Sequence, residues 1–169
     1  QIIFLILQKS VYICVNNLLM LFLINFSSLD EYAKIWNIHG SVNGILFDLG
    51  VSSVHLDNAE RGFSFNKNAP LDMRFNRTHG KKVSEYLNEL SEKEIEYILR
   101  VYGEERFSKR IARNIITHRK NNPIQNTFEL VDIINRSVLV NDKNKHNATR
   151  SFQALRIYTN KELDVLKEI

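Results

Sequence analysis

A carboxylate follows a short apolar run near the middle of the chain, at a place where α/β proteins bind ligands. Residues 44–47 read GILF, and Asp48 comes next, followed by Gly50, Ser52 and Ser53. In doubly wound sheets the carboxyl ends of the strands border the ligand crevice, so Asp48 is a candidate acceptor for a cofactor or substrate. A carboxylate that caps the following turn is an equally good interpretation of this position alone.

Basic side chains recur along residues 104–120, opposite an apolar stripe. The stripe has the spacing of three and four that predicts a helix, and its members are Phe107, Ile111, Ala112, Ile115 and Ile116. Such a face can bind RNA phosphates in a sequence-independent, salt-sensitive way. A solvated face with local ion pairs is the alternative, and composition alone favours it. The candidate RNA-binding residues are Lys109, Arg110 and Arg113, with Arg150 further along the chain.

The other reactive side chains form no recognisable site. The five histidines are scattered, and Cys14 is the single cysteine, so no zinc-ligand spacing and no internal disulfide are possible. With 169 residues and 44% hydrophobic content, a folded domain or a piece of a larger one is expected. The net charge of +4 does not separate an RNA-binding protein from an ordinary enzyme. We predict a cytoplasmic protein without a metal.

The chain opens with two apolar runs, IIFLIL and LLMLFLI, within residues 1–26. Neither approaches the roughly 20 residues needed to span a bilayer, and no signal-peptide pattern accompanies them. We therefore expect no membrane partner and interpret the runs as buried strands or as sequence foreign to the fold. The chain begins with Gln1 instead of Met, which suggests a fragment.

The first third of the chain has the pattern of an α/β protein. Residues 18–25 form an apolar run typical of a buried parallel strand, residues 30–38 read as a helix, and residues 44–47 read as the next strand. Strands separated by helical spacing predict a doubly wound fold.

From residue 83 onward the pattern is helical. Ser91 opens SEKE, a capping box with Glu94 that begins one helix, and residues 104–120 form the next. Pro123 breaks the pattern before a helix over residues 127–138, for which Thr127 is the expected cap. A last helical region runs from about residue 148 to the end, with a bend near Asn160.

Four ordered sequence blocks then give a specific resemblance. Residues 44–74 contain GILFDLGVSS followed by LDNAERGFSF and PLDMR, residues 102–115 read YGEERFSKRIARNI, and residues 148–163 read ATRSFQALRIYTNKEL. These blocks resemble the bacterial small-subunit (16S) ribosomal RNA cytosine-N(4)-methyltransferases from about residue 25 to the end. Ordered blocks over this length are far more specific than a lone glycine motif.

The resemblance implies an α/β fold: a partial doubly wound S-adenosylmethionine-dependent methyltransferase sheet with an inserted, mostly helical substrate-recognition domain. We expect residues 1–82 to belong to the methyltransferase domain, with 1–20 uncertain, residues 83–147 to be the insertion, and residues 148–169 to return to the first domain. The implied partner is 16S ribosomal RNA in the small ribosomal subunit, and the implied reaction methylates the N(4) amine of one cytidine.

The family's cofactor contacts map to Phe26, Asp48 and position 55. The family has a glutamine at that last position, whereas this chain has His55. A neutral imidazole donates from one ring nitrogen and accepts at the other, whereas an amide presents its oxygen acceptor and its NH₂ donors side by side at one end, so the replacement changes the geometry of this contact. Core packing is the alternative role for Phe26. Asp48 is also the best candidate for catalysis, since an acceptor that holds the amine protons would direct its lone pair toward the methyl group.

Parts of the expected donor site have no counterpart in the sequence. No glycine-rich turn pattern is present, no acidic residue precedes Asp30, and the chain stops at Ile169 before the family's final strand pair. The alternative to an active methyltransferase is therefore an inactive, degenerate fragment that retains at most the ability to bind RNA.

Overall fold

The computed structural model describes residues 10–15, 18–23, 28–47, 50–51, 53–140 and 145–167. The chain divides into two compact units, one made of residues 1–51 with 161–169 and the other of residues 52–160. The predicted division at residues 82 and 147 stays a prediction.

The first unit contains three described strands, β1 (Ser10–Val15), β2 (Leu18–Leu23) and β3 (Val42–Phe47), in the order β2-β1-β3. β1 is antiparallel to both neighbours, pairing Ser10 with Leu23 and Val11 with Phe47. Only residues 16–17 separate β1 from β2, and so short a connection permits antiparallel pairing alone. The expected parallel strand over residues 18–25 is thus corrected: the described ladder is antiparallel, and it does not confirm a doubly wound sheet.

Two helices accompany these strands in the first unit, α1 (Leu29–Ile35) and α8 (Glu162–Lys167). α1 confirms the helix predicted over residues 30–38 but ends earlier. Asn37 has a φ of 53°, a left-handed conformation that stops a helix.

The second unit is helical in its described part and is built around aliphatic side chains. Its helices are α2 (Ser53–Asp57), α3 (Val83–Glu89), α4 (Glu92–Gly103), α5 (Ser108–Arg119), α6 (Thr127–Ser137) and α7 (Thr149–Thr159). The interior contains Leu87, Ile95, Leu99, Ile111, Ile115, Leu130, Ile134 and Leu155, each at most 1% exposed. In α4, α5 and α6 these residues recur at a spacing of four, which is why each of these helices buries one face.

α4 packs against α5 and α7, and α5 packs against α6. The packing of α4 on α7 depends on Gly103, because a Cβ there would lie 2.4 Å from the carbonyl oxygen of Arg150. Only glycine allows the two backbones to approach so closely.

The start of α4 confirms its prediction, and the start of α5 corrects one. Ser91 Oγ accepts from the Glu94 N–H at 3.3 Å, and Glu94 Oε2 accepts from the Ser91 N–H at 2.8 Å. The sequence pattern predicts α5 from residue 104, whereas the helix begins at Ser108. Glu104 instead ends α4 with a φ of 50°, a left-handed conformation that stops the helix.

The cap of α6 is Asn126 and not Thr127, which corrects the prediction. Asn126 Oδ1 accepts from the Glu129 N–H at 3.0 Å, so Asn126 and Glu129 form a capping box. The Thr127 hydroxyl instead donates to the Lys67 carbonyl at 2.6 Å and accepts from the Ala69 N–H at 3.1 Å. The predicted last helical region is interrupted at Asn160, since α7 ends at Thr159 and α8 begins at Glu162.

Candidate functional site

Two of the three residues carried over for the methyl donor, Phe26 and Asp48, lie outside the described residues, as does Ser52. The third, His55, is described and is 4% exposed. Its ring lies 5.3 Å from those of Phe63 and Phe75, and these two rings stack on each other at 5.6 Å. Burial lowers the pKa of His55, and the nearby Arg61 guanidinium lowers it further. His55 is therefore a neutral ring in an aromatic cluster near pH 7.

The PLDMR motif holds a buried ion pair. Asp72 is 1% exposed, and its Oδ1 and Oδ2 accept from Arg74 Nε at 2.7 Å and Nη2 at 3.1 Å. Arg77 Nε approaches the same carboxylate to 3.5 Å. Burial alone would raise the pKa of Asp72, but the hydrogen bonds and charge of Arg74, with the charge of Arg77, hold it below its usual value. Asp72 is thus a charged acceptor with its donors supplied from within the motif and just beyond it.

The backbone next to this pair is held in an uncommon conformation. Met73 has a φ of 59° and is fully buried. Asn160 Nδ2 donates to the Met73 carbonyl at 2.8 Å, while Asn160 Oδ1 accepts from the Phe75 N–H at 2.7 Å. Arg61 Nη2 donates to the Arg74 and Phe75 carbonyls, each at 2.9 Å. These contacts offset the cost of a left-handed methionine, which is of order 1–3 kcal/mol.

We call this arrangement of Arg61, Asp72, Arg74, Asn160 and the 72–75 backbone the clamp. The sequence does not predict that these residues come together. The motif covers residues 70–74, whereas Asn160 is named only as the place of a bend in the last helical region. Gly62 belongs beside it, because a Cβ there would lie 2.4 Å from the Pro70 carbonyl oxygen. The clamp fixes the shape of the motif and offers little surface to a ligand.

The basic side chains of α5 are arranged in the opposite way. Lys109, Arg110 and Arg113 are exposed, and the distance from Arg113 Nε to Glu92 is long at 3.8 Å. Arg119, the last residue of α5, instead donates through Nη1 to the Leu87 and Leu90 carbonyls at 2.6 Å each. Arg119 therefore closes the end of α3, while the other three extend into solvent.

Arg150 lies apart from those three, on α7. Its Nη1 donates to the Glu104 carbonyl at 3.1 Å, and its side chain lines a cavity together with Arg106. The structure thus divides the four predicted RNA-binding residues between a helix face and a cavity.

Among the described residues, no three His, Cys, Asp or Glu side chains come together as metal ligands. Within the same part of the chain, no helix has the length and apolar character to cross a membrane.

Comparison with known proteins adds to this geometry. Residues 7–169 match the model of the MraW methylase family. The chain is 54% identical over 144 residues to the ribosomal RNA small subunit methyltransferase H of Buchnera aphidicola subsp. Schizaphis graminum. It is 48% identical over 143 residues to the protein of that name from Pseudoalteromonas atlantica. Each match takes in 85% of this chain and 46% of the relative, so the chain spans about half the length of these curated relatives.

Proposed function

Because this chain belongs to the MraW methylase family, we propose that the protein carrying it methylates ribosomal RNA of the small subunit. The donor is S-adenosyl-L-methionine, the acceptor is the N(4) amine of a cytidine in 16S ribosomal RNA, and the reaction takes place in the cytoplasm. The observation that carries this proposal is the high identity to two relatives named for methylation of that RNA.

For the fold, we propose that the whole protein has a doubly wound methyltransferase sheet, with residues 83–147 as an inserted recognition domain. The family match over residues 7–169 supports it, as does the uninterrupted series of helices from α3 to α6. The described antiparallel strands would then be a part of that sheet.

For the RNA, we propose that Lys109, Arg110 and Arg113 contact phosphates along one side of α5. All three are exposed, and no carboxylate approaches any of them more closely than the 3.8 Å between Glu92 and Arg113 in the described part of the chain. Phosphate contacts of this kind supply affinity and position without reading the sequence.

For the donor, His55 is the carried-over contact whose surroundings the structure describes. His55 packs against Phe63 and Phe75. Asp48 remains the proposed acceptor for the amine protons of the cytosine, a role that would favour the reactive orientation of the lone pair.

The test is a measurement of N(4)-methylcytidine in 16S ribosomal RNA by mass spectrometry. The protein is expressed in a bacterium whose own gene of this family is deleted, where it should restore the modification. Asp48→Asn should abolish the modification while the circular dichroism spectrum stays unchanged. Unmodified RNA despite a folded wild-type protein would contradict the proposal. RNA binding without calorimetric binding of S-adenosylmethionine would then identify an inactive RNA-binding remnant.

A further inference from the structure

A small cavity of about 130 Å³ lies within the helical unit, between the segments that lead into α5 and α7. Three cations line it: Arg106 precedes α5, Lys145 precedes α7, and Arg150 lies in the first turn of α7. One carboxylate, Glu105, also lines the cavity. The fixed charges therefore leave a net positive site.

The cations are available to a ligand, whereas the carboxylate is engaged inside the protein. Arg106 and Lys145 are exposed. Glu105 is 5% exposed; its Oε1 accepts from the Phe107 N–H at 3.0 Å and its Oε2 from the Ser151 hydroxyl at 3.3 Å. Both carboxylate oxygens of Glu105 have protein donors, so Glu105 links the two segments. It therefore competes little with an incoming anion for the three cations.

Two further groups make the cavity a fixed site and not a loose cluster of charges. Arg150 is held by its bond to the Glu104 carbonyl, which uses one of the five donors of a guanidinium. The His146 ring stacks on Phe65 at 4.6 Å and 4°, and its Nδ1 accepts from the Ala148 N–H at 3.2 Å. The stacking on Phe65 and the bond at Nδ1 hold the His146 ring in place at the cavity wall.

The size of the cavity selects among anions. Sites for drug-sized ligands measure roughly 300–1,000 Å³, so this cavity of about 130 Å³ suits a smaller group. A single phosphate group fits, and arginine presents its donors in a fork that matches phosphate oxygens. Arg106 lies two residues before the start of α5, so the cavity borders the end of the helix on which Lys109 and Arg110 lie.

We propose that this cavity binds one phosphate of an RNA backbone, an inference that rests on the proposed function for the identity of the RNA. The bound phosphate would fix the position of the RNA on the helical unit, while Lys109, Arg110 and Arg113 contact neighbouring phosphates. Free inorganic phosphate shares the same chemistry, and the position of the cavity next to the start of α5, with its exposed Lys109 and Arg110, favours the RNA.

The test compares two matched double variants in RNA binding by fluorescence anisotropy, with a labelled fragment of small-subunit ribosomal RNA. Arg106→Gln with Lys145→Gln removes two exposed cations from the cavity. Lys93→Gln with Arg100→Gln removes the same charges from the exposed side of α4 and is the control. The cavity variant should bind about tenfold more weakly, and its slope of log affinity against log salt should fall by about 0.7–0.9, the value for a single phosphate. The control should keep most of the wild-type slope.

A second measurement separates the two sources of phosphate. Backbone amides of residues 145–150 should shift in NMR spectra on addition of the RNA, and not with inorganic phosphate at equal ionic strength. Saturating shifts with inorganic phosphate and none with RNA would overturn the proposal in favour of a free-anion site. Equal affinity and slope for the cavity and control variants would overturn it while leaving the proposed function intact. Failure of the wild-type chain to bind the RNA would count against both.

Discussion

The clamp and the basic side of α5 both contain arginines from the sequence blocks that identify the family, yet they use them differently. In the clamp, Arg61 and Arg74 donate to backbone carbonyls and to the buried Asp72. On α5, Lys109, Arg110 and Arg113 extend into solvent. An arginine in a family motif is therefore not always a binding residue. Its N–H groups can hydrogen-bond within the protein, or they can remain available to a ligand. The difference between the two regions can be tested by removing charge from each.

Asp72→Asn should produce the largest effect. It removes one partner of a buried ion pair and leaves Arg74 without a countercharge, a change that typically costs about 3–5 kcal/mol in the free energy of unfolding. Urea denaturation measures this cost. Asp132→Asn on the exposed side of α6 is the matched control and should change stability by less than about 0.5 kcal/mol. Equal stability of the two variants would show that the clamp does not hold the fold together.

The triple variant Lys109→Gln, Arg110→Gln and Arg113→Gln should lose RNA affinity while keeping its stability. Its stability should stay within about 0.5 kcal/mol per substitution, because the replaced side chains are exposed. Its salt slope for RNA binding should fall by about two to three, at roughly 0.7–0.9 for each phosphate that is no longer neutralised. The control replaces the exposed residues Lys93, Arg100 and Arg136 with glutamine. Equal losses of slope in both variants would reduce the role of α5 to general charge attraction.

The smallest effect is expected at His55, beside the clamp. Burial lowers the pKa of His55, so near pH 6 the unfolded chain takes up a proton that the folded chain resists. Stability should therefore be full above about pH 6.5 and decline as the pH falls through the folded pKa. His55→Phe should flatten this decline in urea titrations at different pH values. Because the pKa of Asp72 is lowered, a separate loss of stability should begin only below about pH 4. The His55→Phe variant should still show that loss. An unchanged slope near pH 6 in His55→Phe would assign the decline to another group.

The elements that sequence reasoning predicts well are those decided by neighbouring residues. The capping box at Ser91 and Glu94 joins groups three residues apart, and the buried positions Ile111 and Ile115 follow from helical spacing. The ends of elements are predicted less well. α5 starts later than its pattern because Glu104 adopts a left-handed conformation, and Thr127 loses the role of cap because its hydroxyl bonds residues 67 and 69.

By itself, the sequence determined the family, through four ordered blocks, and the helical pattern of residues 83–160. Only the tertiary structure decided which charged side chains are internal and which extend into solvent. The clamp joins Arg61, Asp72 and Asn160, and the cavity joins Arg106, Lys145 and Arg150. Each set joins segments that are far apart along the chain, so periodicity and local spacing do not relate them. Their donors find acceptors, or stay open to a phosphate, only after helix packing has brought the segments together.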